Sequence, residues 1–265
     1  MTLLNDALRA GLSPVRPRRG ATGRSLLLIG GGGALGAEVL HQLLASRRFA
    51  HVGVLVEAPL GTALPGLIAV PAGDDAALRG FDTAMLVFGR DRHANGRELA
   101  FVRPQPAQLP ALAARLAAAG VRRLMVVTPH APSSLPEALK RGLADLDEQA
   151  ITALGFDHLL FMRPAQAATL DEAGSGSNLG QRIAGWALSQ LTMMIPQREQ
   201  PVRAAKIAQL AVQLAWRLAD APSGTRVVPP ELVWQAAQTN DVAALAEDWL
   251  AGRATPLAAA APRRL

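Results

Sequence analysis

Ser25-Leu26-Leu27-Leu28-Ile29 runs into Gly30-Gly31-Gly32-Gly33-Ala34-Leu35-Gly36, and a helical pattern (Glu38, Val39, Leu40, Leu43, Leu44) begins at once. Five apolar residues without alternation read as a strand buried on both faces. The glycines read as a tight turn without side chains. The helix that follows points its first N–H groups back at that turn. Such an N-terminus carries unsatisfied donors and a partial positive charge, which suits a phosphate.

The glycines fit two spacings. Gly31, Gly33 and Gly36 form G-x-G-x-x-G, the dinucleotide-binding fingerprint, and Gly30, Gly33 and Gly36 form G-x-x-G-x-x-G. A second strand, His51 to Val56, ends in Glu57, 21 residues after Gly36, where the fingerprint places an acid for ribose hydroxyls. The competing explanation is a turn kept glycine-rich only for close strand–helix packing.

The chain has 265 residues, half of them apolar, enough for one substantial core. It has no cysteine, which removes disulfides, thiolate catalysis and Cys-ligated metals. Its five histidines (41, 51, 93, 130 and 158) lack close metal-ligand spacing, so no metal is expected. Residues 1–24 carry +4 and residues 250–265 carry +3, which leaves −1 on the body out of a total of +6. A near-neutral body with basic, Pro/Ala-rich ends predicts a globular domain with solvated tails and no nucleic-acid face. Arg18-Arg19 superficially matches a twin-arginine export signal, but the apolar stretch behind it is the strand and turn just described. With no run of roughly 20 apolar residues, a cytoplasmic protein without a membrane partner is expected.

Strand and helix signals alternate along the rest. Strands are expected at 67–70, 83–88, 123–127, 156–162 and 225–228, and helical segments at 74–78, 109–119, 137–154, 179–195, 203–219 and 230–237. This alternation predicts an α/β, Rossmann-type, doubly wound parallel sheet. Residues 1–24 form a basic flexible arm, 25–164 the dinucleotide-binding domain, 165–250 a small, mostly helical region on the substrate side, and 251–265 a disordered tail. The loop at 166–178 and the helix after it would shape the substrate pocket. That helix, with Trp186, Leu191, Met193 and Met194, is either core or a surface for a protein partner or a second copy of the chain.

Ligands of such sheets lie at the carboxyl ends of the strands. The Gly33–Leu35 amides, Ala34 among them, would hold a pyrophosphate. Glu57 would accept from the ribose and repel a 2′-phosphate, favouring NAD(H) over NADP(H); alternatively it is a solvated charge. Asp74 would accept from an adenine amino group, or cap a helix. Gly89 would let a ribose approach the backbone, and Arg90, Arg92 and His93 belong to the polar loop after it. Thr128 and His130 follow the fifth strand, and His130 titrates in the range useful to an acid or base.

Leu27-Leu28-Ile29-Gly30-x-x-Gly33-x-x-Gly36, Gly73-Asp74, Val121 to Thr128 and Leu154-Gly155-Phe156-Asp157 with Met162-Arg163-Pro164 occur in this order. The arrangement resembles the atypical short-chain dehydrogenase/reductases, the NAD(P)H-binding relatives of sugar-nucleotide epimerases and NmrA-like regulators. The resemblance covers roughly residues 25–240 and implies an oxidoreductase or epimerase-like enzyme. That family's proton relay is a Tyr-x-x-x-Lys pair aided by a Ser. This chain has no tyrosine; Lys140 and Ala144 stand near the pair's positions, and Thr128-Pro129-His130 replaces the Ser-containing turn. The resemblance therefore implies either an enzyme with another relay, drawing on Thr128, His130 or Lys140, or a cofactor-binding redox sensor without catalysis.

Overall fold

The computed structural model describes residues 23–60, 66–89, 100–128, 149–164 and 202–253. Seven parallel strands form one sheet: β1 (Ser25–Ile29), β2 (His51–Val56), β3 (Leu67–Pro71), β4 (Thr83–Val87), β5 (Arg123–Val127), β6 (His158–Met162) and β7 (Gly224–Val228). Their spatial order is β3-β2-β1-β4-β5-β6-β7. The order reverses at β1, the first strand laid down, which makes its carboxyl end the switch point of a doubly wound sheet. The sixth strand begins at His158, two residues later than its apolar run suggests: Gly155 turns the chain at φ +76°, and Asp157 pairs with Arg122 at the rim.

Every residue of β1, β4 and β6 is buried. Leu26 and Leu28 face one core, Leu27 and Ile29 the other, as period-two geometry requires. The first core holds α1 (Gly33–Ser46), α4 (Ala204–Arg217), α5 (Pro230–Gln238) and α6 (Val242–Leu250). The second holds α2 (Asp75–Leu78), α3 (Leu109–Ala118) and Ile151 from the end of the helix expected at 137–154. Leu35, Val39 and Leu43 of α1 meet Ile207, Leu210, Ala211 and Leu214 of α4, both sets at helical spacing. Thus residues 202–250 complete the layer on α1 and extend the sheet by β7. The stretch 165–201, expected on the substrate side, lies outside the described residues, as do residues 1–22 of the arm and 254–265 of the tail.

One helix is absent from the sequence expectation. In α6 the Asp241 carboxylate accepts from the Ala244 N–H at 2.9 Å, and Val242, Ala246 and Leu250 are buried. Its signal was present: an Asp cap followed by apolar residues four apart.

The amino ends of the strands carry a linked polar layer. Ser25 Oγ donates to the Gly80 carbonyl and accepts from the Asp82 N–H. Thr83 Oγ1 donates to Asp82 at 2.7 Å and accepts from Arg123 Nε at 3.0 Å, while Arg123 also pairs with Asp82 at 2.8 Å. Nearby, the Arg24 guanidinium lies 4.3 Å from the centre of the Trp216 ring and pairs with Asp220. This end of the molecule is fixed by charge and hydrogen bonding, leaving the carboxyl end for chemistry.

Candidate dinucleotide site

Chain direction at the switch point is set by glycine. Gly30 and Gly33 adopt φ of +93° and +75°, the left-handed region that other residues enter at a cost. A β-carbon on Gly30 would collide with the Val87 carbonyl oxygen, and one on Gly36 with the carbonyl oxygen of Gly30. These positions therefore let β1, β4 and the first turn of α1 close on one another. Gly32 precedes α1 with no side-chain cap, and the first turn contains no acid. The resulting cradle fits a phosphate in shape and in electrostatics.

The loop after β4, expected to be polar, departs from that reading at its described end. Phe101 forms an antiparallel bridge with Val56 at the tip of β2. The Glu57 N–H donates to the Ala100 carbonyl at 2.8 Å, and the Val102 N–H donates to the Leu55 carbonyl at 3.1 Å. This edge of β2 is available because β1 pairs with it only as far as Val54 before Gly30 turns the chain away. Phe101 lies beside Gly31, whose added β-carbon would stand 3.2 Å from the ring and 3.0 Å from Val54, and Pro104 approaches Gly30. Residues 100–104 thus run from the end of β2 over the end of β1. Gly30, Gly31, Gly32 and Gly33 are all buried. The apolar pair Phe101-Val102 inside a polar loop was the available signal for this segment.

The remaining candidates lie along the same rim or outside the description. Glu57 is exposed at the end of β2, with its backbone N–H engaged by Ala100. Asp74 Oδ1 accepts from the Ala77 N–H at 3.0 Å and caps α2, the local role that competes with adenine recognition. Gly89 follows β4, where an added β-carbon would meet none of the described residues within 4 Å. Thr128 ends β5 half-buried, its N–H donating to the Met162 carbonyl at 2.9 Å. The carboxyl rim therefore brings together the glycine turn, Glu57, Gly89 and Thr128, with Asp74 farther out beside β3. His130 and Lys140 lie outside the described residues, as do Arg90, Arg92 and His93.

Among the described residues, the titratable group whose environment stands out is not on this rim. His158 opens β6 at the opposite end of the sheet, only 6% exposed. Burial holds its pKa below the ordinary value of 6.5, with Arg123, Arg226 and Arg122 adding to the effect and Asp157 opposing it. Among the described residues there is no group of three or more His, Cys, Asp or Glu able to hold a metal, and no helix long and apolar enough to cross a membrane.

No protein-family model matches the chain, and no curated protein does. Solved structures are similar to it. A Bacillus halodurans protein, provisionally an NAD-dependent epimerase/dehydratase, shares 12% identity at a TM-score of 0.49, over 82% of this chain and 99% of that one. The Bordetella bronchiseptica enzyme WbmH, solved in complex with NAD+, shares 12% at 0.45, over 78% and 76%. The Citrobacter sp. triphenylmethane reductase, complexed with NADP(H), shares 16% at 0.44, over 77% and 69%. The likeness is one of fold. This chain's own strand order, with its glycine turn at the switch point, makes it a Rossmann-type domain.

Proposed function

We propose that this protein binds a nicotinamide dinucleotide, NAD(H) in preference to NADP(H), as an oxidoreductase or epimerase-like protein of the atypical short-chain dehydrogenase/reductase type. The observation that carries the reading is the side-chain-free cradle of Gly30, Gly33 and Gly36 at the reversal of strand order. The pyrophosphate would rest on the start of α1, with the adenosine ribose beside Glu57 and the nicotinamide half toward Gly89 and Thr128. When bound, the nicotinamide supplies a hydride acceptor or donor.

A second reading is favoured by one fact of composition. The chain contains no tyrosine, so the family's usual proton donor has no counterpart. A protein that binds the dinucleotide without turning it over, as a redox sensor or regulator, satisfies both this absence and the intact cradle. If there is a relay, Thr128, His130 and Lys140 are its candidates.

Titration with NADH and with NADPH, followed by nicotinamide fluorescence and by the melting temperature, tests the common element. Binding of NADH with a raised melting temperature is expected. A response to neither dinucleotide rejects both readings, and a preference for NADPH rejects the role given to Glu57. Turnover of small carbonyl substrates that falls in His130→Ala or Lys140→Ala variants would mark an enzyme; saturable binding without turnover would mark a sensor.

A further inference from the structure

Residues 100–104 occupy the crevice that the glycine turn prepares. The edge of β2 beyond Val54 has lost its β1 partner, and the Leu55 carbonyl and Glu57 N–H on that edge are taken up by Val102 and Ala100. The Phe101 ring lies against Gly31, and Pro104 approaches Gly30. The segment therefore spans the gap between β2 and β4 above β1. In a sheet of this order, that gap is where a dinucleotide crosses from one half of the fold to the other.

We infer that residues 100–104 form a strap that closes the site and must leave β2 before a dinucleotide binds. The inference rests on the dinucleotide reading above. A ligand lying on the glycine turn and reaching Glu57 needs the space the Phe101 ring fills, so closed strap and bound ligand are alternative states. The strap is held to β2 by three main-chain hydrogen bonds, two from the Glu57 and Ala58 N–H groups to the Ala100 carbonyl and one from the Val102 N–H to the Leu55 carbonyl, with Phe101 and Val102 half-buried against the two cores and Pro104 buried. Opening breaks these contacts, and its cost is subtracted from the apparent affinity of any ligand that requires the open form. The strap thus raises the cofactor concentration needed for half-saturation, without a second effector.

The bridge supplies its own test. Val56 and Phe101 are directly opposed in an antiparallel pair flanked by hydrogen bonds rather than joined by them, the arrangement with the shortest Cα separation. That geometry suits a disulfide, and the chain has no cysteine of its own to interfere. In the full-length Val56→Cys/Phe101→Cys variant, oxidation should lower NADH affinity at least about tenfold relative to the same protein reduced. Reduction should restore it. Val102→Pro, which deletes one donor of the bridge while keeping the ring, should bind NADH several-fold more tightly than the parent chain. It should also speed hydrogen exchange at the Glu57 amide, a readout that needs no ligand. Equal NADH affinity in the oxidised and reduced forms would overturn the strap while leaving dinucleotide binding intact. Weaker binding by Val102→Pro would overturn it too, since the segment would then be part of the bound site. Failure of every form to bind NADH or NADPH would remove the dinucleotide reading and the strap's role with it.

Discussion

Gly36, in the first turn of α1, faces the carbonyl oxygen of Gly30 with no room between them for a side chain. The contact ties the helix to the turn six residues before it, so one missing methyl group sets both the packing of α1 and the shape of the cradle. Gly36→Ala should cost about 1–3 kcal/mol by overpacking and should weaken NADH binding in parallel. Gly89→Ala is the control. No described residue lies within 4 Å of an added β-carbon there and its φ lies outside the left-handed region, so stability should change by less than about 0.5 kcal/mol. Chemical denaturation of the two variants makes the comparison. Equal losses would show that the Gly36–Gly30 contact is not a constraint.

Asp74 has a local task that can be separated from a ligand role. Its carboxylate caps α2 through the Ala77 N–H, and α2 supplies Leu78 to the second core. Asp74→Ala should destabilise the protein by about 1 kcal/mol. Asp74→Asn or Asp74→Ser should recover most of that loss, because either side chain can accept the same hydrogen bond. If adenine recognition is also a task of Asp74, Asp74→Ser will restore stability without restoring NADH affinity. If capping is its whole contribution, affinity and stability will recover together.

The core strands were readable because strands covered on both faces are written as continuous apolar runs, and Leu26–Ile29, Ala84–Val87 and Leu124–Val127 are such runs. Alternation with helices then implied the parallel, doubly wound arrangement, and the glycine turn located the switch point. Phe101 escaped because a single bridge has no period: its partner, Val56, is 45 positions away in the chain. What draws the two together is the early departure of β1 from β2 at Gly30, a tertiary consequence of one backbone angle. The α6 helix was missed for a simpler reason. Its Asp241 cap and its apolar spacing were both in plain view.

Glu57 is expected to decide between the two nicotinamide dinucleotides. Its carboxylate is exposed at the tip of β2, where it can accept from ribose hydroxyls and repel a 2′-phosphate. A hydrogen bond to a charged group contributes about 1.5–3 kcal/mol. Glu57→Ala should therefore weaken NADH binding about ten- to a hundredfold, leave the fold unchanged and narrow the gap to NADPH. Glu57→Arg should reverse the preference by pairing with the phosphate. Parallel fluorescence titrations of the three proteins measure this, and an unchanged NADH:NADPH ratio in both variants would release Glu57 to the role of a solvated charge.

His158 gives the fold a dependence on pH that the site does not share. It is buried at the start of β6, opposite Arg123 on β5, with Arg226, Arg122 and Asp157 as its other charged neighbours. Burial and the three guanidinium groups favour the neutral ring, so the folded protein binds this proton less tightly than the unfolded chain does. Stability from this residue is fully present above the unfolded value of 6.5 and is lost as the pH falls from there to the depressed folded value. Within that window the slope is positive and has about 1.4 kcal/mol per pH unit, one proton's worth, as its upper bound. Denaturation midpoints of the parent chain should therefore begin to drop as the pH falls below 6.5, ahead of the range in which carboxylates protonate. His158→Leu keeps an apolar group in the same strand and should flatten that limb while leaving the carboxylate limb in place. Identical pH profiles for the two proteins would mean that His158 keeps its ordinary affinity for a proton despite its burial.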